Sequence, residues 1–215
     1  YGLSLKEGQL AFSLFSISSL IFWVVNAIVL FSSLRKELHN LFLLLFPLSA
    51  VSVLGSILGD NPDWQHKLEY TIATHVISSI LAYSLLTIAS LQALLLAYQN
   101  RALKNKSLLA NSKLFPPLQT MESLLFEFLW VGELLLTFVI ISGFYFHKDL
   151  FAQHLVHKTV FTLCAWFIYA ILLWGRSQLG WRGTKAIRLA LTGFVCLMLA
   201  YFGSKLVLEI ILNRI

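Results

Sequence analysis

The chain has 215 residues, 16 of them Lys or Arg and 10 Asp or Glu, so that 12% are charged and 58% are hydrophobic, with a mean hydropathy of +0.79. A soluble domain carries about 25% charged and about 45–50% apolar residues. So few charges cannot coat a soluble globule of this size, which excludes a soluble enzyme and a disordered chain and leaves an integral membrane protein.

A transmembrane helix needs about 20 predominantly apolar residues. Six such runs follow in chain order, at residues 9–33, 41–58, 72–98, 124–146, 159–174 and 189–212. Pro47 is a kink site in the second. The runs are continuous rather than alternating, which argues for helices over strands. The expected fold class is therefore all-α: a single polytopic membrane domain of six helices. The chain opens on Tyr1 rather than Met, so a preceding segment is expected; no signal peptide is visible in its first residues. Cys164 and Cys196 lie inside apolar runs and form no CxxC, so neither a disulfide framework nor a c-type haem attachment is expected.

Lys and Arg set the orientation. Arg35, Lys36, Arg101, Lys104, Lys106, Lys113, Arg176, Arg182, Lys185 and Arg188 fall on one side. Lys6, Lys67, Lys148, Lys158 and Arg214 fall on the other. The excess marks the cytoplasmic side, so both ends of the chain are expected outside. The net charge of +6 then reads as a topology signal, not a nucleic-acid footprint. The membrane lipids are the first expected partner.

Histidine is the informative residue on the outer side. His66, His75, His147, His154 and His157 all fall there, while His39 falls on the inner side. Imidazole is the commonest metal ligand and a usual axial ligand of haem iron. The bland alternative is a set of interfacial polar residues. His75 stands apart because it lies about one turn inside an apolar run. His154 and His157 share a helix face. No outer cysteine supports zinc.

Ionisable residues inside spans are functional candidates. The fourth run holds Glu127 and Glu133, and the sixth holds Lys205 and Glu209. Lys205 and Glu209, four apart, suit an ion pair along one helix. Glu133 and Lys205 are read either as a proton relay or as a structural pair with a snorkelling lysine. The aromatic residues, Trp64, Trp130, Trp166, Trp174 and Trp181 among them, fall mostly near run ends, as in an interfacial belt.

Several of these pieces resemble the cytochrome c assembly proteins, the CcsA-type haem-handling family, over residues 72–212. THVISSILAYSLLTIASLQALLLAYQNR at 74–101 resembles the family helix that begins with His-Val. Residues 115–146 resemble its Pro-x-Leu-x-x-x-(Asp/Glu) segment and the helix after it, with Gly132, Leu135 to Thr137, Ser142 and Gly143 in place. Its Trp-x-x-Tyr-Ala, Gly-Trp-Arg-Gly and Tyr-Phe-Gly pieces correspond to Trp166 to Ala170, Gly180 to Gly183 and Tyr201 to Gly203. The small inner-membrane branch of YpjD-like proteins is the nearest in pattern, and its members carry additional N-terminal helices.

The resemblance implies a bacterial inner-membrane protein that handles haem on its outer face. His75 matches the first outer haem-ligating histidine. The second would fall near Leu212, and the family's Trp-rich segment near residues 147–157, where the chain reads HKDLFAQHLVH. A buried family histidine aligns with Trp174. One of His147, His154 and His157 is expected to take the place of the missing ligand opposite His75. Other cytochrome c assembly or inner-membrane proteins are implied as partners. The resemblance implies no covalent catalysis here, so the residues point away from an enzyme. A second reading is a membrane subunit that keeps the fold, lacks the cofactor site and supports a partner.

Overall fold

In the computed structural model, the structure describes residues 10–11, 14–34, 39–58, 65–66, 70–104, 116–146 and 156–203, with side chains over 19–34, 41–54, 74–104, 116–145 and 158–201. Six helices run in order: α1 (Leu14–Ser33), α2 (His39–Leu58), α3 (Tyr70–Lys104), α4 (Leu118–Phe146), α5 (Val156–Leu179) and α6 (Thr184–Met198). The last continues without a break into a π-helical turn, Leu199–Gly203. The one strand pairing described is two residues long and antiparallel, β1 (Leu10–Ala11) against β2 (Gln65–His66). It joins the segment before α1 to the segment after α2. The molecule is a polytopic helical membrane bundle. Among the described residues, α3, α4, α5 and the α6–π unit are long and apolar enough to cross a bilayer, and α1 and α2 add shorter apolar stretches.

α3 is the axis of the bundle. At 35 residues it spans about 52 Å, well beyond the roughly 30 Å of bilayer hydrocarbon. Ala82, Leu86, Ile88, Ala89 and Ala93 are fully or almost fully buried, and every residue from Ala82 to Ala93 is enclosed. A helix apolar on all sides is one surrounded by neighbours. Three of its hydroxyls are spent on its own backbone: Ser84, Thr87 and Ser90 donate to the carbonyls of Ile80, Tyr83 and Thr87 at 2.7–2.8 Å. That satisfies hydroxyls that hydrocarbon cannot.

α4 lies antiparallel along α3, as the His75–Ser142 and Gln92–Met121 contacts at its two ends require. Close approach is set by Gly132, where a Cβ would stand 2.8 Å from Leu86 Cδ2. α1 and α2 form a hairpin on the other flank of α3. Asn26 ties them, donating to Ser49 Oγ at 2.7 Å. α2 carries Pro47 in its interior, where the ring removes one backbone donor. α5 and α6 are joined by a tight turn with Gly180 and Gly183 at φ 63° and 58°, a region L side chains rarely adopt.

Candidate functional site

Polar side chains gather at three depths in this bundle. At one end His75 sits in the second turn of α3. Its Nδ1 lies 2.8 Å from Ser142 Oγ on α4. The Ser142 hydroxyl already donates its single proton to the Val139 carbonyl at 3.0 Å. A hydroxyl has one proton and two lone pairs, so with that proton on Val139 the Ser142 oxygen accepts from Nδ1 in the tautomer that is protonated there. Nε2 is then the ring nitrogen that carries the lone pair, the form in which imidazole ligates metal. The ring lies against the α4 backbone at Gly143, where a Cβ would stand 3.5 Å from His75 Cε1. Ser78 and Ser79 both donate to the His75 carbonyl, at 3.1 and 2.7 Å, firming the turn that carries it.

The middle layer is built from α3, α4, α5 and the end of α6. Trp166 Nε1 donates to Thr137 Oγ1 at 2.8 Å. Thr137 in turn donates to the backbone carbonyl of Glu133 at 2.8 Å. Glu133 itself is buried, and neither carboxyl oxygen has a hydrogen-bond partner. Tyr169 is fully buried with its hydroxyl unpartnered, and its ring fills the space left by Gly193 on α6. Tyr83 donates to the Leu197 carbonyl at 3.5 Å, and its ring lies 5.9 Å from that of Tyr201 in the π turn.

The opposite end is charged. Arg176 on α5 donates to Glu122 on α4 at 2.7 Å and to the Trp181 carbonyl at 3.4 Å, and its guanidinium lies 4.5 Å from the Phe126 ring centre. Arg182 stands 3.8 Å from the same Glu122 oxygen. The Trp181 ring presses on Gly175, which has no room for a Cβ there. Lys185 Nζ lies 6.0 Å from the Trp181 ring centre. Arg101 and Lys104 in the last turn of α3 share this end.

The candidate residues named from sequence fare differently. His75 is placed and oriented. His147 and His154 lie outside the described residues, as do Lys205 and Glu209. His157 is in the first turn of α5, with its side chain outside the described residues. Glu127 is exposed on α4, whereas Glu133 faces inward. Among the described residues no three His, Cys, Asp or Glu side chains converge on a metal position. The belt expectation meets Trp130, half-exposed in the middle of α4, and Trp166, half-buried and hydrogen-bonded inside the bundle. Trp174 is exposed. Sequence reasoning missed the Glu122–Arg176 pair, although both partners lie in or beside the motif pieces quoted for the resemblance.

For haem the donor set fits in one respect: His75 offers an imidazole whose ring is held in place by Ser142. One such nitrogen would supply one protein ligand to the iron.

The sequence model of the family described as cytochrome C assembly protein matches residues 2–212. An inner membrane protein of Escherichia coli (strain K12), YpjD, is 32% identical over 201 residues, covering 93% of this chain and 76% of that protein. The cytochrome c biogenesis protein CcsA of Guillardia theta is 28% identical over 203 residues, covering 81% of this chain and 67% of that protein. The CcsA of Gloeobacter violaceus is 30% identical over 87 residues, covering 40% of this chain and 26% of that protein. No solved structure matches the chain.

Proposed function

The chain belongs to the cytochrome c assembly protein family, and from that membership we propose that it is a multi-pass protein of the bacterial inner membrane that binds haem as cargo at the His75 end of the bundle and presents it there. The observation that carries this reading is the His75–Ser142 bond at 2.8 Å, with the Ser142 proton committed elsewhere. Such a partner on the far nitrogen orients a ligating imidazole and raises its basicity. The relatives named for cytochrome c biogenesis and for the inner membrane support the cargo and the compartment. One of His147, His154 and His157, the histidines at or beside the link between α4 and α5, would supply the second protein ligand. Partners are other cytochrome c assembly or inner-membrane proteins, to which the haem passes.

The His75 end faces outward in this reading. Arg101, Lys104, Arg176, Arg182, Lys185 and Arg188 all sit at or near the other end, where the Lys/Arg excess belongs on the cytoplasmic side. Iron in the bound porphyrin supplies the redox-active centre that a cytochrome needs. The protein's own residues hold it: His75 ligates, Ser142 fixes the ring, and the packed α3–α4 pair keeps both at constant spacing.

The test is absorbance of the purified protein with haem. A Soret band is expected in the wild type, lost in His75→Ala and weakened in Ser142→Ala, where removal of an outer-shell partner costs about 10–100-fold in affinity. Loss in one of His147→Ala, His154→Ala or His157→Ala identifies the second ligand. A band that survives His75→Ala unchanged overturns the proposal. No band at all, with stable co-purifying membrane proteins, establishes instead the supporting subunit without a cofactor.

A further inference from the structure

We propose that Glu133 is a proton-binding site inside the bundle, with the Tyr169 phenol close by in the same layer. It goes beyond the haem reading and does not depend on it.

Glu133 lies about 14 Å along α4 from Ser142 and about 16 Å from Glu122, at 1.5 Å per residue. It is therefore near the middle of the span, equally far from the histidine end and the charged end. Its side chain is only 7% exposed, and both carboxyl oxygens are buried without a partner.

The neighbouring donors are already used. Thr137, one turn on, gives its proton to the Glu133 backbone carbonyl, and Trp166 gives its N–H to Thr137. Neither has a proton left for the carboxyl. No Lys or Arg among the described residues forms an ion pair with Glu133; the two ion pairs described there both use Glu122. The groups that face this layer are Tyr169 from α5, Tyr83 from α3, Cys196 from α6 and Tyr201 from the π turn, all of which are weak acids. Tyr169 is within electrostatic range of Glu133, and its hydroxyl is unpartnered too.

An unpaired carboxylate buried at this depth costs several kcal/mol per ion even after relaxation. Something positive must accompany it. A metal ion needs several ligands, and no cluster of three His, Cys, Asp or Glu exists among the described residues. A single proton needs one carboxyl. The acid then carries both a donor and an acceptor, which matches the phenol of Tyr169.

The experiment is infrared spectroscopy of the full chain, purified without haem and reconstituted in lipid. At neutral pH a protonated-carboxyl carbonyl band is expected, moving to lower frequency in D2O. Glu133→Gln removes it, and Tyr169→Phe, which leaves the carboxyl in place, retains it. A wild-type spectrum with no band that Glu133→Gln removes overturns the proposal. So does a band that appears only in Lys205→Met, since Glu133 is then an ionised partner of that lysine.

A second measurement needs no variant. A lipid-soluble carbodiimide adds across a protonated carboxyl to leave an N-acylurea, the whole reagent being retained with no leaving group. Mass mapping is expected to find the adduct on Glu133 at neutral pH, falling about tenfold at alkaline pH. Glu133 unlabelled at every pH overturns the proposal. A protein that lacks the Soret band but keeps the carboxyl band fails the haem reading and not this one.

Discussion

Gly193 decides where Tyr169 can stand. A Cβ there would lie 2.7 Å from Tyr169 Cε1, inside any real contact distance. The ring is fully buried and has no free direction in which to retreat. Gly193→Ala is therefore expected to destabilise the bundle by about 1–3 kcal/mol, the usual cost of overpacking. Thermal unfolding in detergent measures it. Combining it with Tyr169→Leu should recover part of the loss, because the clash is with the ring edge. If Gly193→Ala leaves the melting temperature unchanged, α5 and α6 are not packed as described. Ser142 is the opposite kind of residue. Its hydroxyl acts on His75, so Ser142→Ala should leave the melting temperature within a degree or two while weakening haem binding.

At the scale of elements, the α4–α5–α6 junction is held by one guanidinium doing three things. Arg176 reaches the Glu122 carboxylate, the Trp181 carbonyl and the Phe126 face. A lysine has the charge but not the planar fork. Arg176→Lys should lose one hydrogen bond and most of the ring contact, about 1–2 kcal/mol in unfolding experiments. Glu122 and Arg176 are both partly shielded, with side chains 16% and 24% exposed. Glu122→Gln should therefore cost about as much as Arg176→Lys, not the near-zero value of a surface pair. Equal stability of either variant with the wild type contradicts a structural role for the pair.

This junction also marks the limit of what the sequence discloses. The helices themselves were legible, because a bilayer demands long apolar runs and nothing else in the chain mimics them. Some helices run beyond those apolar stretches. α4 begins at Leu118 and α5 ends at Leu179, past the apolar runs, because interfacial turns tolerate polar residues such as Glu122 and Arg176. His75 was legible as the one histidine in an apolar helix. Its partner was not: Ser142 is 67 positions away, and serines in such helices mostly bond their own backbone. Glu133 was flagged from its depth; Lys205, the companion weighed for it from the sequence, lies outside the described residues, and Tyr169 is a described neighbour that the sequence did not mark. Which residues meet across helices depends on rotation about each axis, and near-uniform apolarity leaves that rotation unmarked.

For the whole molecule the open prediction concerns sidedness. Replacing Cys164 and Cys196 gives a background for single reporters. Lys158→Cys, at the His75 end, should react with a membrane-impermeant maleimide in intact spheroplasts. Lys185→Cys, at the charged end, should react only after lysis. The reverse pattern inverts the bundle and places the His75 end in the cytoplasm, where haem presentation to an exported cytochrome could not occur. Labelling of both in intact cells would mean the protein is not spanning in the way described.

The π turn at Leu199–Gly203 bears on how the end of the chain is drawn. A helical wheel advances about 100° per residue, and a π turn behaves as one extra residue slipped into that count. A wheel extended from Thr184 through Gly203 therefore falls about one position out of phase by its end. Tyr201, which meets Tyr83, would be assigned to the wrong side by any scheme that assumes regular winding. Deleting a single residue between Leu199 and Gly203 should restore regular winding and swing that tyrosine out of the interior layer.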